Sequence, residues 1–311
     1  MSPRIEDFEA LRFRLTRYCY RLLGSAADAD DAVQETVIRA FGNAERFDPD
    51  RAGLSTWVHR IATNICLDML RSARRRAVAM DLAAEGPELG APLSGDHFVE
   101  PMPGHRLLGD LDPAAVAVER ETVRLAFITM LQRLAPRQRA VLVLRDVLSY
   151  SSRETADVLE TTVAAVNSGL QRARATVRED PARRFEPVDD RHRELLRRYI
   201  TAFENHDVDE LTAVLREDAF TSMPPFAWSL RGGARIAELM AASDACEGDR
   251  LLVTDVNGHP GLGQYRPDAD GVLRPFAVIA VEVRADRVAQ TTTFLGTGHR
   301  FTEFGLPSTP N

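Results

Sequence analysis

Three groups of polar side chains in this 311-residue chain have the types and spacing of a recognition surface. In the stretch TTVAAVNSGLQRARATVRE, residues 161–179, Val163, Val166, Leu170, Ala173 and Val177 recur close to a 3.6-residue period. Asn167, Ser168, Gln171 and Arg172 fall largely on the opposite flank, with Thr162 and Ala164 leading into them. Amide and guanidinium groups offer directional hydrogen bonds, so such a helix can pack on one side and read a partner on the other; a solvated surface helix has the same pattern. A second group, Asn64, Asp68 and Arg71, stands three and four residues apart near one helical face and runs on into Arg74, Arg75 and Arg76. The third is Asp31, Gln34 and Glu35, in DADDAVQETVIRAF, where Asp28, Asp30 and Asp31 also suit the positive end of a helix dipole. Cys19, Cys66 and Cys246 are odd in number, far apart and without a C-x-x-C pair, which argues against a disulfide framework or a zinc site; no metal or cofactor is expected.

The chain is acidic, at −7, yet every basic residue is Arg and the charge is uneven. Residues 1–76 and 119–180 are each slightly basic, 77–118 hold seven acids against one Arg, and 181–311 are acidic again. The chain contains no run of 18 apolar residues and opens on no charged-then-apolar leader, so a soluble, cytoplasmic protein without a membrane segment is expected.

Helices must position the three groups. FEALRFRLTRYCYRLLG places Phe8, Leu11, Leu15, Tyr18 and Leu22 on one face and stops at Gly24. The next helix has an inner stripe of Val33, Thr36, Val37, Ala40 and Phe41, and STWVHRIATNICLDMLRSARRR buries Trp57, Ile61, Ile65 and Met69 behind a Ser55 cap. Residues 77–113 are rich in Gly and Pro and poor in aromatics, which predicts a linker without a core. Helices resume in AAVAVERETVRLAFITMLQRL and PRQRAVLVLRDVL. SSRETADVLE and the 161–179 helix, joined through Thr161 and Thr162, then have the proportions of a helix-turn-helix. After a breaker at 181–190 the period changes. Two helices, a strand in AFTSMPP, a third helix and strands in RLLVTDVNG, GLGQYRP, LRPFAVIAVEV and RVAQTTTFL predict an α+β domain over 191–306, with a hairpin at Ala285-Asp286.

On DADDAVQETVIRAF, STWVHRIATNICLDMLRSARRR and the 131–175 segment, residues 5–180 resemble the extracytoplasmic-function sigma factors of the sigma-70 family, with region 2 over 5–76, the linker over 77–113 and region 4 over 114–180. The resemblance implies two all-α domains that bind bacterial core RNA polymerase and promoter DNA. Asp31, Gln34 and Glu35 would face the polymerase. Asn64, Asp68, Arg71, Arg74 and Arg75 would lie beside the melted −10 strand, and the RFDPDRAG loop would capture a flipped base, whose unstacking costs a few kcal/mol. The opening stretch would be the −35 recognition helix, with Thr162, Ala164, Asn167, Ser168 and Gln171 nearest base edges and Arg172 and Arg174 on phosphates. The family more often carries Arg at the position of Asn167, so an unusual −35 sequence is implied. The linker acids are either a solvated tether or a nucleic-acid mimic within the polymerase.

The tail, on its element order and on MPPFAWSLRGGARI, resembles the SnoaL-like cones shared with nuclear transport factor 2. That resemblance implies an apolar cavity with Met223, Phe226, Trp228, Tyr265, Phe276 and Phe294 as candidate lining; an ordinary filled core is the alternative. Catalysis would need a carboxylate or His–Asp pair inside it. His259, Asp255 and Glu282 are available, but their spacing marks no pair. The tail is therefore read as a regulatory module that docks on the sigma core or the polymerase, with a small-molecule ligand left open, and not as an enzyme. A helix-turn-helix repressor leaves the residue 28–76 block unexplained. A bifunctional protein with a cyclising or isomerising tail requires turnover that the tail alone supplies.

Overall fold

The computed structural model describes residues 3–72, 84–85, 92, 98–109, 111–178, 190–242 and 246–310. The chain forms two compact units, one of residues 1–78 and 106–183, the other of 79–105 and 184–311.

Among its described residues the first unit is all helical: α1 (Ile5–Glu9), α2 (Arg12–Leu23), α3 (Ala26–Gly42) and α4 (Leu54–Ser72), then α6 (Pro113–Val123), α7 (Leu125–Gln132), α8 (Pro136–Leu142), α9 (Ser152–Val158) and α10 (Val163–Arg178), with α5 (Gly104–Leu108) leading in from the second unit's stretch. Gly24 ends α2 at φ 70°, a left-handed cap that suits glycine, and the Ser25 hydroxyl accepts from Asp28 N to start α3. Leu15, Tyr18, Leu22, Val58 and Ile65 fill the core of the first helices, and the Cys19 and Cys66 thiols meet there, where burial pushes the Cys66 thiol well up. Two expectations differ. The segment read as one helix from 114 to 134 breaks at Arg124, whose ψ is 139°, because Val123 and Leu125 are both buried and a continuous helix cannot aim both inward. Phe41, assigned to the inner stripe of α3, is 55% exposed.

The seam between α2–α4 and the helices after α5 is unusually polar. Arg17 and Arg21 of α2 both reach Glu119 of α6, at 3.0 and 2.8 Å, with the Arg21 side chain fully buried. Arg139 of α8 is buried as well and donates to the carbonyls of Leu131 (2.8 Å), Gln132 (3.0 Å), Leu134 (3.2 Å) and, across the seam, Leu22.

The second unit is an α+β cone. Helices α11 (Asp190–Glu204), α12 (Val208–Val214) and α13 (Gly233–Ala242) pack on a seven-stranded sheet of β1 (Ala84–Glu85), β2 (Leu215–Ser222), β3 (Trp228–Arg231), β4 (Arg250–Val256), β5 (His259–Pro267), β6 (Leu273–Arg284) and β7 (Arg287–Leu295), in the order β1-β3-β2-β7-β6-β5-β4. Leu195, Tyr199, Leu211, Leu230, Ile236 and Leu262 belong to its core. The predicted hairpin is present: Arg284 pairs with Arg287, and Ala285 and Asp286 take φ of 50° and 56°, as a tight two-residue turn demands. Strand β2 starts at Leu215, within a stretch read as helical, and β3 went unread.

The stretch read as a coreless linker behaves differently at its described residues. Ala84 and Glu85 pair in parallel with Trp228 and Ser229, and Pro92 bridges Phe226. Val99 and Met102 are buried. The Met102 main chain is held by Asn257: its N donates to the side-chain Oδ1 at 2.9 Å and its O accepts from the Asn257 N at 2.7 Å. A Cβ at Gly104 would lie 1.9 Å from Asp255 Oδ1, so a side chain there would push that carboxylate off its hydrogen bond from Gly258 N. The stretch is too poor in apolar residues to build a core of its own, but it needs only a few where a finished sheet supplies the other side.

Candidate DNA-reading, partner-binding and ligand-binding sites

Helices α9 and α10 make the helix-turn-helix. Ser151 and Glu154 form a capping box at the start of α9 (3.1 and 2.7 Å), and that hydrogen bonding lowers the Glu154 pKa. The turn passes through Glu160 at φ 49°, and Thr162 caps α10 by accepting from Ala165 N at 3.1 Å. Val166, Leu170 and Ala173 are buried, whereas Val163 is 43% exposed, contrary to its assignment to the packed flank. Thr162, Ala164, Asn167, Ser168, Gln171 and Arg172 are all exposed and share one open face. Ser152 donates to Asn167 Oδ1 at 3.0 Å, which orients the amide. Arg174, read as a phosphate ligand, is held in a two-point ion pair by Asp146 at 2.9 and 2.6 Å.

On α4, Asn64, Asp68 and Arg71 are exposed along one stripe, with Arg71 paired to Asp68. Arg60, one turn earlier, was missed by the sequence reading; it holds Glu160 at 3.0 Å, placing the turn before α10 beside this stripe. Arg74 and Arg75 lie outside the described residues. Trp57 is half-buried, with its ring 5.5 Å from Phe47 of the RFDPDRAG loop and 6.4 Å from Phe8.

Asp31, Gln34 and Glu35 line a groove between α3 and α4 with Ile38, Arg39, Ile65, Asp68 and Met69. Glu35 and Arg39 pair at 2.6 Å. Ile38 is 57% exposed, so with Phe41 this surface joins apolar side chains to an acidic rim. The periodicity of α3 assigns Phe41 inward and leaves Ile38 off the inner stripe without marking it as a contact residue.

The cone holds a cavity of about 200 Å³. Of the six residues expected to line it, Met223, Trp228 and Phe276 do so and Phe226, Tyr265 and Phe294 do not. The reason is strand parity: Gln264 and Arg266 face the cavity and Tyr265 between them turns away, its hydroxyl donating to the Pro307 carbonyl at 2.7 Å. Thr293 and Leu295 flank Phe294 in the same way. His259, Asp255 and Glu282 lie elsewhere: Asp255 accepts from Gly258 N in the β4–β5 turn, where His259 pairs with Val256, and Glu282 faces Arg284 at 3.5 Å. Among the described residues no three His, Cys, Asp or Glu side chains could hold a metal ion, and no helix is long and apolar enough to cross a membrane.

Comparison with known proteins agrees with this layout. Residues 8–76 match the model of sigma-70 region 2 and residues 124–177 that of sigma-70 region 4. The chain is 41% identical over 310 residues to the ECF RNA polymerase sigma factor SigG of Mycobacterium tuberculosis, covering 96% of this chain and 82% of SigG. It is 32% identical over 298 residues to SigJ of the same organism, covering 91% and 89%. The crystal structure of SigJ superposes with a TM-score of 0.66 at 26% identity, over 98% of this chain and all of that one.

Proposed function

Because this chain belongs to the extracytoplasmic-function RNA polymerase sigma factors, we propose that it works in the cytoplasm by bringing bacterial core polymerase to a particular promoter set through the three open surfaces described above. Helix α10 reads the −35 element, the α4 stripe attends the melted −10 strand, and the α3–α4 groove grips the polymerase. What supports this division is that the polar flank of α10 is wholly exposed while Val166, Leu170 and Ala173 opposite it are spent on packing. Thr162, Ala164, Asn167, Ser168 and Gln171 meet base edges, and Arg172 a phosphate. Asn64, Asp68 and Arg71 serve the −10 strand, with Arg74 and Arg75 following in sequence. Asp31, Gln34 and Glu35 form the charged rim of the polymerase contact, with Ile38 and Phe41 as its apolar centre. The cone modulates initiation, and its largely apolar lining, with Tyr199, Phe203, Trp228, Phe276 and Ile279, suits binding a molecule in that role.

Run-off transcription by the full chain with bacterial core polymerase, on promoters selected from a random library, tests the reading. Transcripts that require the chain are expected; promoter binding without polymerase and without transcripts would mean a repressor. Asn167→Ala and Gln171→Ala should each cost about 1–3 kcal/mol at the matched −35 base pair, seen as a flattened preference at that position. An unchanged −35 profile would sink the assignment of α10. Ile38→Ser and Phe41→Ser leave the fold intact because both side chains are exposed. Each should weaken core-polymerase binding by about tenfold or more, given roughly 1.5–3 kcal/mol for a large apolar side chain fully buried, and titration of labelled chain with core polymerase reads this directly.

A further inference from the structure

We propose that the cavity of the cone is a receptor for a small, uncharged, apolar molecule about the size of one six-membered ring, and that its occupancy is passed through Trp228 to the stretch joining region 2 to region 4. The inference rests on the modulating role given to the cone above.

Size comes first. At about 200 Å³ the cavity is smaller than sites for drug-sized ligands, roughly 300–1,000 Å³. It exceeds the dry apolar cavity of about 150 Å³ that admits benzene. Tyr199 and Phe203 of α11, Met240 of α13, Trp228 of β3 and Phe276 and Ile279 of β6 supply apolar walls.

Charge comes second. Among the described wall residues the one cation, Arg266, is already committed: its guanidinium binds the fully buried Asp249 carboxylate at 3.2 and 3.0 Å and covers the Phe276 ring at 3.7 Å. Gln264 donates its amide to the same carboxylate. A charged ligand would have to displace Asp249 and leave a buried charge unpaired, which is costly. Thr293 adds a wall hydroxyl for one hydrogen bond.

The readout is third. Trp228 is a wall residue by its side chain and the partner of Ala84 by its main chain. Strand β1 has only two residues, so few main-chain bonds hold it and its opening is among the least costly in the unit. A molecule that steadies Trp228 steadies β3, and with it the main chain on which β1 docks. Since β1 belongs to the covalent connection between regions 2 and 4, the occupied cone holds that connection more tightly.

The test uses the full chain carrying Trp57→Phe, which leaves Trp228 as its one tryptophan, with toluene as the neutral probe and benzoate as its charged counterpart. Toluene should change Trp228 emission saturably, and benzoate should not. At ten times its Kd, toluene should slow amide exchange at Ala84 and Glu85 about tenfold. Ile279→Phe, which fills the cavity, should abolish both effects; Cys246→Phe, at a partly exposed part of the wall, is the second variant should the first not fold. Absent or unsaturable toluene binding, binding unaltered in a folded filled variant, preferred binding of benzoate, or exchange at Ala84 indifferent to bound toluene would each overturn the proposal. Run-off transcription by the wild-type chain without toluene separates the two readings. A chain that transcribes but ignores toluene sinks only the receptor, and one that binds toluene but starts no transcript sinks only the promoter reading.

Discussion

Arg139→Ala should destabilise the helical unit by about 3–5 kcal/mol, the loss expected when a few buried neutral acceptors lose their common donor. The side chain is buried and serves the carbonyls of Leu22, Leu131, Gln132 and Leu134 together with the Gln132 amide oxygen. Alanine strands several buried acceptors at once, each costing about 1–3 kcal/mol when left unmet. Against a total stability of about 5–15 kcal/mol for a domain, the loss is large. Arg139→Met keeps the apolar stem, so the difference between the two variants separates packing from hydrogen bonding. Arg139→Lys should rescue little, because three donors on one nitrogen cannot span carbonyls spread over the end of α7, the turn after it and the end of α2. Urea unfolding followed through Trp57, in a Trp228→Phe background, isolates this unit. A loss below about 1 kcal/mol would mean that the carbonyls find water and that the network is dispensable.

The same unit should lose about 3 kcal/mol as the pH falls from 6.5 to 4, through His59 alone. Burial lowers the His59 pKa to about 4, against the opposing hydrogen bond to Ser55 and with a smaller push from Arg14. The Nδ1–H donates to the Ser55 carbonyl at 2.7 Å, beside the Tyr150 hydroxyl at 3.2 Å, while the buried Nε2 has no partner among the described residues. A second proton on Nε2 would therefore be buried without an acceptor. Since the folded pKa lies below the unfolded value of about 6.5, the unfolded chain takes up the proton first. The stabilisation is complete above pH 6.5 and drains away toward pH 4, at about 1.4 kcal/mol per pH unit. His59→Gln should remove that slope while leaving the steeper carboxylate-driven loss at lower pH. Parallel acid profiles for the two proteins would show that His59 does not control the transition.

Both sites lie at the seam between region 2 and region 4, and neither was legible beforehand. Arg139 in PRQRAVLVLRDVL reads as a helix-surface arginine, and His59 as one residue among many on α4; their burial depends on helices far away in sequence. Arg17 and Arg21 behave likewise, since a period-based reading counts Arg as outward until Glu119 arrives from about a hundred residues away. For the cone the error ran the other way. Aromatic character points Tyr265 and Phe294 to the cavity, whereas alternation along β5 and β7 presents Gln264, Arg266, Thr293 and Leu295 there.

The residue order by itself determined what is local. Three- and four-residue steps of apolar side chains made α2, α3, α4 and α10 helices, Gly24 and Ser25 set the stop and start between α2 and α3, and Ala285-Asp286 set the β6–β7 hairpin. The polar flanks that carry Asn64, Asp68, Asn167 and Gln171 were likewise implicit in that periodicity. Only the tertiary structure decided which flank finds a cover and which stays open. It left Phe41 and Ile38 in water beside Asp31 and Glu35, and it broke the 114–134 helix at Arg124. It also buried Val99 and held Met102 on Asn257 in the β4–β5 turn of the cone. A chain's periodicity states that a face is apolar. The partner that buries it comes from distant sequence, and the free energy of that burial is a property of the pair.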